Sequence, residues 1–233
     1  MKILNTPESR EGNVIRYAVY LVGYVIVFAV VKLVTRKTPL HVWDLILFCI
    51  VVAMILLFYI YRFNREQRFF ARDFKLPWLG NFSAVMLLTL VITATRILIS
   101  YLQAYNRIPH YDFQLIYLKN ESVDMFWFLI LVQGIILPIL QEFLATGFLF
   151  NYAFRRNTKQ VAILGIIVSG IIFSLLNFQS SLLLFVIEII YGGLFAWSYL
   201  YTQTLWMPIY LAIISGVLTV IMALCQILLI ESK

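Results

Sequence analysis

Long apolar stretches separated by short polar connections make up most of the chain. They cover roughly residues 15–34, 43–61, 79–104, 124–150, 160–178, 181–200 and 204–230. A helix rises about 1.5 Å per residue, so each stretch is long enough to cross a hydrocarbon core of roughly 30 Å. The pattern predicts an all-α polytopic membrane bundle with seven transmembrane helices, or eight if Pro208, Ser215 and Gly216 break the last stretch.

The polar segments between and before these stretches define the organisation of the chain. Residues 1–14 form a polar tail, and a single transmembrane domain is predicted over residues 15–233. No small-residue cleavage site follows the first apolar stretch, so we expect that stretch to remain as a membrane anchor. The longest outer connection, residues 106–122, mixes aromatic and charged residues, which is typical of an interfacial loop or a short amphipathic helix that caps the bundle.

Composition and charge agree with a membrane location. Hydrophobic residues make up 63% of the chain and charged residues 12%, against about a quarter charged in soluble domains. The net charge of +7 comes from basic residues at the ends of apolar stretches, which argues against nucleic acid as a partner and favours the lipid bilayer. A cytoplasmic N-terminus is predicted because it places eleven of the eighteen basic residues inside. These eleven are Lys2, Arg10, Arg16, Arg62, Arg65, Arg68, Arg72, Lys75, Arg155, Arg156 and Lys159.

Three charged residues, Arg96, Glu142 and Glu188, interrupt the apolar stretches. A charge in hydrocarbon costs at least about 2.5–3.5 kcal/mol, so we expect all three to face protein or water, and each is a site candidate. For Arg96 and Glu188 the simpler interpretation is a buried polar network that joins helices. Two further alternatives remain for Arg96: it pairs with Glu142, or its side chain extends to the membrane boundary.

Polar neighbours of Glu142 enlarge the candidate site. Glu142 and Thr146 are four residues apart and share a helix face, while Gln141 points about 100° away. These side chains can line one cavity. Gly147, next to Thr146, allows a neighbouring helix to approach closely.

Candidate metal ligands are few. Cys49 and Cys225 lie in apolar stretches and are predicted to be buried structural residues, and two cysteines support neither a disulfide framework nor a zinc site. His41 and His110 lie in predicted outer loops, where a solvated or interfacial histidine is the simpler interpretation. We therefore expect no metal and no other cofactor.

The polar residues of the fourth stretch belong to a familiar pattern. The segment QEFLATGFLFNYAFRR resembles the first signature of the CAAX protease and bacteriocin-processing family, also called CPBP or Abi, which reads EExxxR and often continues with Gly. Gln141 takes the position of the first Glu, Glu142 that of the second, Thr146 that of the Arg and Gly147 that of the Gly.

Two later segments extend the resemblance over about residues 124–220. VSGIIFSLLNF, residues 168–178, resembles the second signature FxxxH, with Phe173 matched and Asn177 in place of the His. GGLFAWSYLYTQTLWMPIYLAIISG resembles the third segment, but the expected His falls near Ala212 and the expected Asn near Gly216. Matching scaffold residues in this segment are Gly193, Thr202, Leu205, Trp206 and Pro208. The order and spacing of the three segments are more specific than any one motif.

The resemblance implies a catalytic scheme that this chain does not complete. In proteolytic members the first Glu and the second-signature His activate a water, and the last His and Asn stabilise the oxyanion. An amide at Gln141 or Asn177 cannot act as a general base near neutral pH. Neither Ala212 nor Gly216 has a side-chain donor for an oxyanion.

These departures favour a non-proteolytic member that binds a membrane protein or a peptide, such as a regulator or a bacteriocin-immunity factor in a bacterial cell membrane. An alternative is an intramembrane endopeptidase with an altered site, in which Glu142 is the catalytic residue and Gln141, Asn177 and Glu188 orient a water. A lone carboxylate without an oxyanion partner would be a poor peptidase, so enzymatic activity stays open. A more remote alternative, a transporter component, rests only on intramembrane charges and the proline in the last stretch.

Overall fold

The computed structural model describes residues 10–36, 39–66, 81–119, 122–154 and 158–231. Within these ranges the chain forms eight helices, and seven are long and apolar enough to cross a membrane, which confirms the predicted all-α bundle. The helices are α1 Arg10–Val34, α2 Val42–Glu66, α3 Phe82–Ala104, α4 Asp112–Lys119, α5 Val123–Ala153, α6 Lys159–Leu176, α7 Leu182–Thr202 and α8 Trp206–Glu231.

The ends of the predicted topology lie partly beyond these ranges. Helix α1 begins at Arg10, so residues 10–14 of the expected polar tail are helical, and residues 1–9 lie outside the described residues. Six of the basic residues counted as cytoplasmic also lie outside them: Lys2, Arg68, Arg72, Lys75, Arg155 and Arg156. The cytoplasmic N-terminus therefore stays a prediction.

Several helices begin at side chains that cap the free N–H groups of the first turn. Ser122 Oγ accepts from Met125 N at 3.1 Å at the start of α5, and Thr158 Oγ1 accepts from Val161 N at 3.4 Å before α6. Helix α7 ends where Gln203 adopts a left-handed backbone with φ of 56°. The caps account for boundaries that apolar length alone leaves uncertain.

Helix α5 is continuous but not uniform. Segments Ile130–Ile136 and Phe143–Phe148 are π-helical, and α-helix lies before, between and after them. A π turn is wider by one residue, changes the direction of the side chains that follow, and occurs frequently at functional sites. Pro138, near the start of the middle segment, has no N–H for a carbonyl of the preceding turn.

Helix α8 is a single unbroken helix, so the alternative of eight spans is not realised. Pro208 lies in its first turn, where a missing N–H costs little. Ser215 and Gly216 lie in its interior and serve contacts with α3 and α5. The polar and small residues that suggested a break are packing residues.

The bundle is centred on α8, which contacts α3, α4, α5 and α7. Helices α6 and α7 pack closely because they meet at glycines. A Cβ at Gly170 would lie 2.5 Å from the carbonyl oxygen of Ile189, and one at Gly192 would lie 2.5 Å from Phe173 Cβ. Helices α1 and α2 pair with each other and pack against the second half of α5.

Two smaller expectations have opposite outcomes. The connection 106–122 contains the short helix α4, and buried Phe113 and Tyr117 of this helix, with Tyr111 just before it, hold it on the bundle. The prediction that Cys49 and Cys225 are buried is wrong, because both are exposed on the outer faces of their helices. An uncharged thiol is a small apolar group and is compatible with a lipid-facing surface.

Candidate functional site

A small cavity lies between α3, α5, α6, α7 and α8, beneath the start of α4. Its volume is about 40 Å³, which is room for about three water molecules at roughly 10–15 Å³ each. It is lined by seven of the nine candidate residues from the sequence: Arg96, Gln141, Phe173, Asn177, Glu188, Ala212 and Gly216. Residues far apart in the chain and on five different helices thus converge on one space.

Gln141 and Asn177, at the positions of the first Glu and of the His, bind each other. Gln141 Nε2 donates to Asn177 Oδ1 at 3.2 Å and to the hydroxyl of Tyr24 at 2.9 Å. Tyr24 in turn donates to the carbonyl of Leu176 at 2.7 Å, and Asn177 Nδ2 donates to the carbonyl of Phe173 at 3.2 Å. Both N–H groups of the Gln141 amide are therefore engaged, and the two amides are held in a fixed arrangement.

Ala212 and Gly216, at the positions of the last His and Asn, leave one wall of the cavity without side-chain donors. Ala212 is 2% exposed and presents only a methyl group. At Gly216 a Cβ would lie 3.0 Å from the carbonyl oxygens of Gln133 and Gly134 and 3.0 Å from Pro138 Cγ. The backbone of α5 occupies the space that an asparagine side chain at position 216 would need.

Glu142 and Thr146 are not among the residues that line the cavity. The expectation that they share a cavity with Gln141 is wrong for this space, because consecutive residues of a helix point about 100° apart and Gln141 takes the cavity side. Glu142 is fully buried: its Oε2 accepts from Thr146 Oγ1 at 2.6 Å, and its Oε1 has no hydrogen-bond partner within the described ranges.

Arg96 and Glu188 form an ion pair with each other. This agrees with the simpler interpretation of both residues, a buried polar network that joins helices. Arg96 Nη1 lies 2.9 Å from Glu188 Oε1, and Nη2 lies 3.2 Å from Glu188 Oε2, which is a bidentate contact. The pairing of Arg96 with Glu142 is therefore wrong. Extension of Arg96 to the membrane boundary is wrong as well, because the residue is 5% exposed.

The remaining guanidinium contacts connect α3 to α4, α7 and α8. Arg96 Nε donates to Ser215 Oγ at 2.8 Å, and Nη1 donates to the hydroxyl of Tyr111 at 3.0 Å. The guanidinium carbon lies 3.7 Å from the centre of the Tyr191 ring, within cation–π range. Burial raises the pKa of Tyr111 to about 12, although nearby Arg96 acts in the opposite direction, so its hydroxyl stays protonated at neutral pH.

Sequence reasoning missed several polar residues at this site. Gln133, Gln179 and Thr219 line the cavity, and Gln133 could have been found from the same cost argument that selected Arg96, because it is a polar residue within an apolar span. Tyr24 and Tyr111 carry no comparable signal, since tyrosine is common both in spans and at membrane interfaces.

The fold and the cavity together define a polytopic helical membrane protein with a small polar site between its helices. Residues 123–223, which form α5, α6, α7 and most of α8, match the family model described as type II CAAX prenyl endopeptidase Rce1-like. The matched segment is just under half of the chain and agrees with the CAAX protease resemblance that the order of the motifs predicts. Comparisons with curated proteins and with solved structures found no match. Arg96 comes from α3, outside the matched segment.

Proposed function

We propose that this protein is a non-proteolytic member of the family that acts by binding a membrane protein or a peptide. The observation that carries the proposal is the state of the four motif positions in the cavity. Two hold amides that bind each other, one holds a methyl group, and at the fourth the space for a side chain is filled by α5. A hydrolytic site needs a proton acceptor and preorganised oxyanion donors at these positions.

The polar groups that remain suit an uncharged ligand with hydrogen-bonding capacity. The charge of Arg96 is compensated by Glu188, so the cavity wall is neutral among the residues that form it. The carboxamide of Gln133 has no hydrogen-bond partner among the described residues, and Gln179 uses only its oxygen, for the N–H of Asp112 at 3.4 Å. Free amides offer both donors and acceptors, as a peptide group or a polar side chain requires.

The volume limits what can enter without movement. A cavity of about 40 Å³ accepts a few waters or one small side-chain group but not an extended peptide. We therefore place the larger part of any partner outside the cavity, with one polar group inserted. Within the family resemblance, a regulator of another membrane protein or a bacteriocin-immunity factor in a bacterial cell membrane fits such capture.

An endopeptidase based on Glu142 makes the opposite prediction and gives the test. The purified protein in lipid nanodiscs is incubated with a farnesylated peptide ending in a CAAX sequence and with its unmodified counterpart, and products are measured by mass spectrometry. We expect no product beyond that of Glu142→Gln, while an active family protease in parallel releases the tripeptide. A product that wild type forms and Glu142→Gln does not form would overturn the proposal.

The binding half is tested in cells. If the chain confers bacteriocin resistance on a sensitive bacterial host, Ala212→Trp should abolish it by filling the cavity. Glu142→Gln and the lipid-side variant Ala94→Trp should preserve it. Resistance that survives Ala212→Trp, or that is lost with Ala94→Trp alone, contradicts capture in this cavity.

A further inference from the structure

One part of the cavity wall lies outside the membrane spans. Tyr111 comes directly before α4, Phe113 lies in its first turn, and Gln179 comes from the turn between α6 and α7. Toward the other end of the bundle the helices are tightly packed: a Cβ at Gly147 would lie 2.9 Å from the Phe63 ring and 3.2 Å from Leu205. Within the described residues, the polar side of the cavity therefore faces the water-side surface beneath α4.

Helix α4 is held over this surface at three places. At the rim, Asp112 Oδ2 accepts from the backbone N–H of Ser180 at 2.9 Å, and Oδ1 accepts from its hydroxyl at 2.6 Å. Inside, the hydroxyl of Tyr111 accepts from Arg96. Behind, Gln114 Nε2 donates to the carbonyl of Ala223 on α8 at 3.0 Å.

We propose that α4 is a lid over a water-side entrance to the cavity, latched by Asp112 and Tyr111 and anchored by Gln114. An isolated helix of eight residues is not stable in water, so these contacts and its buried side chains determine its position. The Asp112 latch is at the exposed rim, where hydrogen bonds are weak, and opening disrupts none of the seven long helices. The inference rests on the proposed function, since it describes how the same binding cavity is reached.

The inner latch connects the lid to the contents of the cavity. The Arg96 guanidinium that donates to Tyr111 also holds Glu188 through both nitrogens at its end. A ligand group that accepts a hydrogen bond from Arg96 Nη1 competes with the Tyr111 contact and therefore shifts the lid toward its open position. Binding and opening are thus linked through one side chain.

The entrance determines the kind of partner. A route beneath α4 admits a segment presented at the water surface, such as a loop, a chain terminus or a soluble peptide, rather than the middle of a transmembrane helix. With the proposed cytoplasmic N-terminus, α4 lies on the outer side of the membrane. That is the side on which a secreted peptide arrives.

A cysteine placed in the cavity reports on the entrance. In a background with Cys49→Ala and Cys225→Ala, the variant Ala212→Cys is reconstituted in nanodiscs without any partner and treated with a charged, membrane-impermeant maleimide. We expect slow labelling that becomes about tenfold faster with Tyr111→Phe or with Asp112→Ala, the effect of losing one charge-assisted hydrogen-bonding contact. Tyr101→Phe, a matched change at an exposed tyrosine of α3, should leave the rate unchanged.

Two results would overturn the lid. One is an equal labelling rate in the parent and both latch variants. The other is faster labelling by an uncharged, membrane-soluble maleimide that neither latch variant alters, because this places the entrance on the lipid side. Each variant must first elute as a single species in size-exclusion chromatography. Because Tyr111 and Asp112 make separate contacts, one folded latch variant is sufficient for the test. Because no partner is present, failure here leaves the binding proposal standing, and failure of binding leaves the lid standing.

Discussion

Residue 216 differs from the asparagine of the family motif in two ways. Glycine has no side-chain donor, and the space that a side chain would need is occupied by α5. The family motif expects an asparagine there, whereas Gly216 lets α8 touch the carbonyl groups of Gln133 and Gly134. Pro138 has no N–H, so one carbonyl of the preceding turn is left without its helical donor. Under the proposed function, the missing oxyanion donor and the close packing of α5 on α8 have the same cause, a glycine at position 216.

Gly216→Ala should therefore destabilise the bundle. The added methyl group would meet two backbone oxygens and a proline ring at 3.0 Å, and overpacking of this kind costs about 1–3 kcal/mol. Gly193→Ala is the matched control, because its Cβ would find its nearest neighbour, Ile166, at 3.6 Å. Unfolding in mixed detergent micelles measures both, and equal stability of the two variants contradicts the close contact.

At the level of elements, the spans could be predicted from the sequence but the faces of α5 could not. Membrane thickness requires a minimum apolar length, so the seven apolar stretches follow from length, and only a break in the last one stayed open. In a uniformly apolar helix no pattern reveals the two π segments, and π geometry alters which side chains share a face. For this reason the sequence could not show that Gln141 lines the cavity while its neighbour Glu142 does not.

The pairing of the charged residues shows the same limit. The energetic cost of a charge in hydrocarbon predicts that Arg96 is buried against protein. It does not select Glu188 over Glu142 as its partner, because that choice depends on how α3 crosses α7 and α8. The family motifs likewise predict the convergence of Gln141 with Asn177 but contain no information about α3, which lies outside the matched segment.

The ion pair that attaches α3 to α7 gives a second stability prediction. Glu188→Ala leaves Arg96 buried without its carboxylate and should cost about 3–5 kcal/mol. Arg96→Met combined with Glu188→Leu should cost much less, since no charge is left unpaired. Exposed Glu11→Ala on α1 should change stability by less than about 0.5 kcal/mol. A double variant as unstable as Glu188→Ala, measured by the same unfolding assay, contradicts this account.

For the whole molecule, the side of the membrane that α4 faces follows from the side of the N-terminus, because three spans precede α4. With seven spans, the start of α1 and the end of α8 lie on opposite sides of the membrane. The unbroken α8 is the helix that decides between seven and eight spans. The positive-inside rule then assigns the N-terminal side to the cytoplasm, with α4 and the turn containing Ser180 outside.

Reporter fusions test this arrangement directly. A fluorescent protein that folds only in the cytoplasm should be bright when fused after Gln203, between α7 and α8, and dark when fused after Glu231. Alkaline phosphatase, active only outside, should give the reverse. Bright fluorescence at both sites would mean that α8 does not cross the membrane. A full reversal would place α4 in the cytoplasm, and the partner entering beneath it would then be an intracellular segment rather than a secreted peptide.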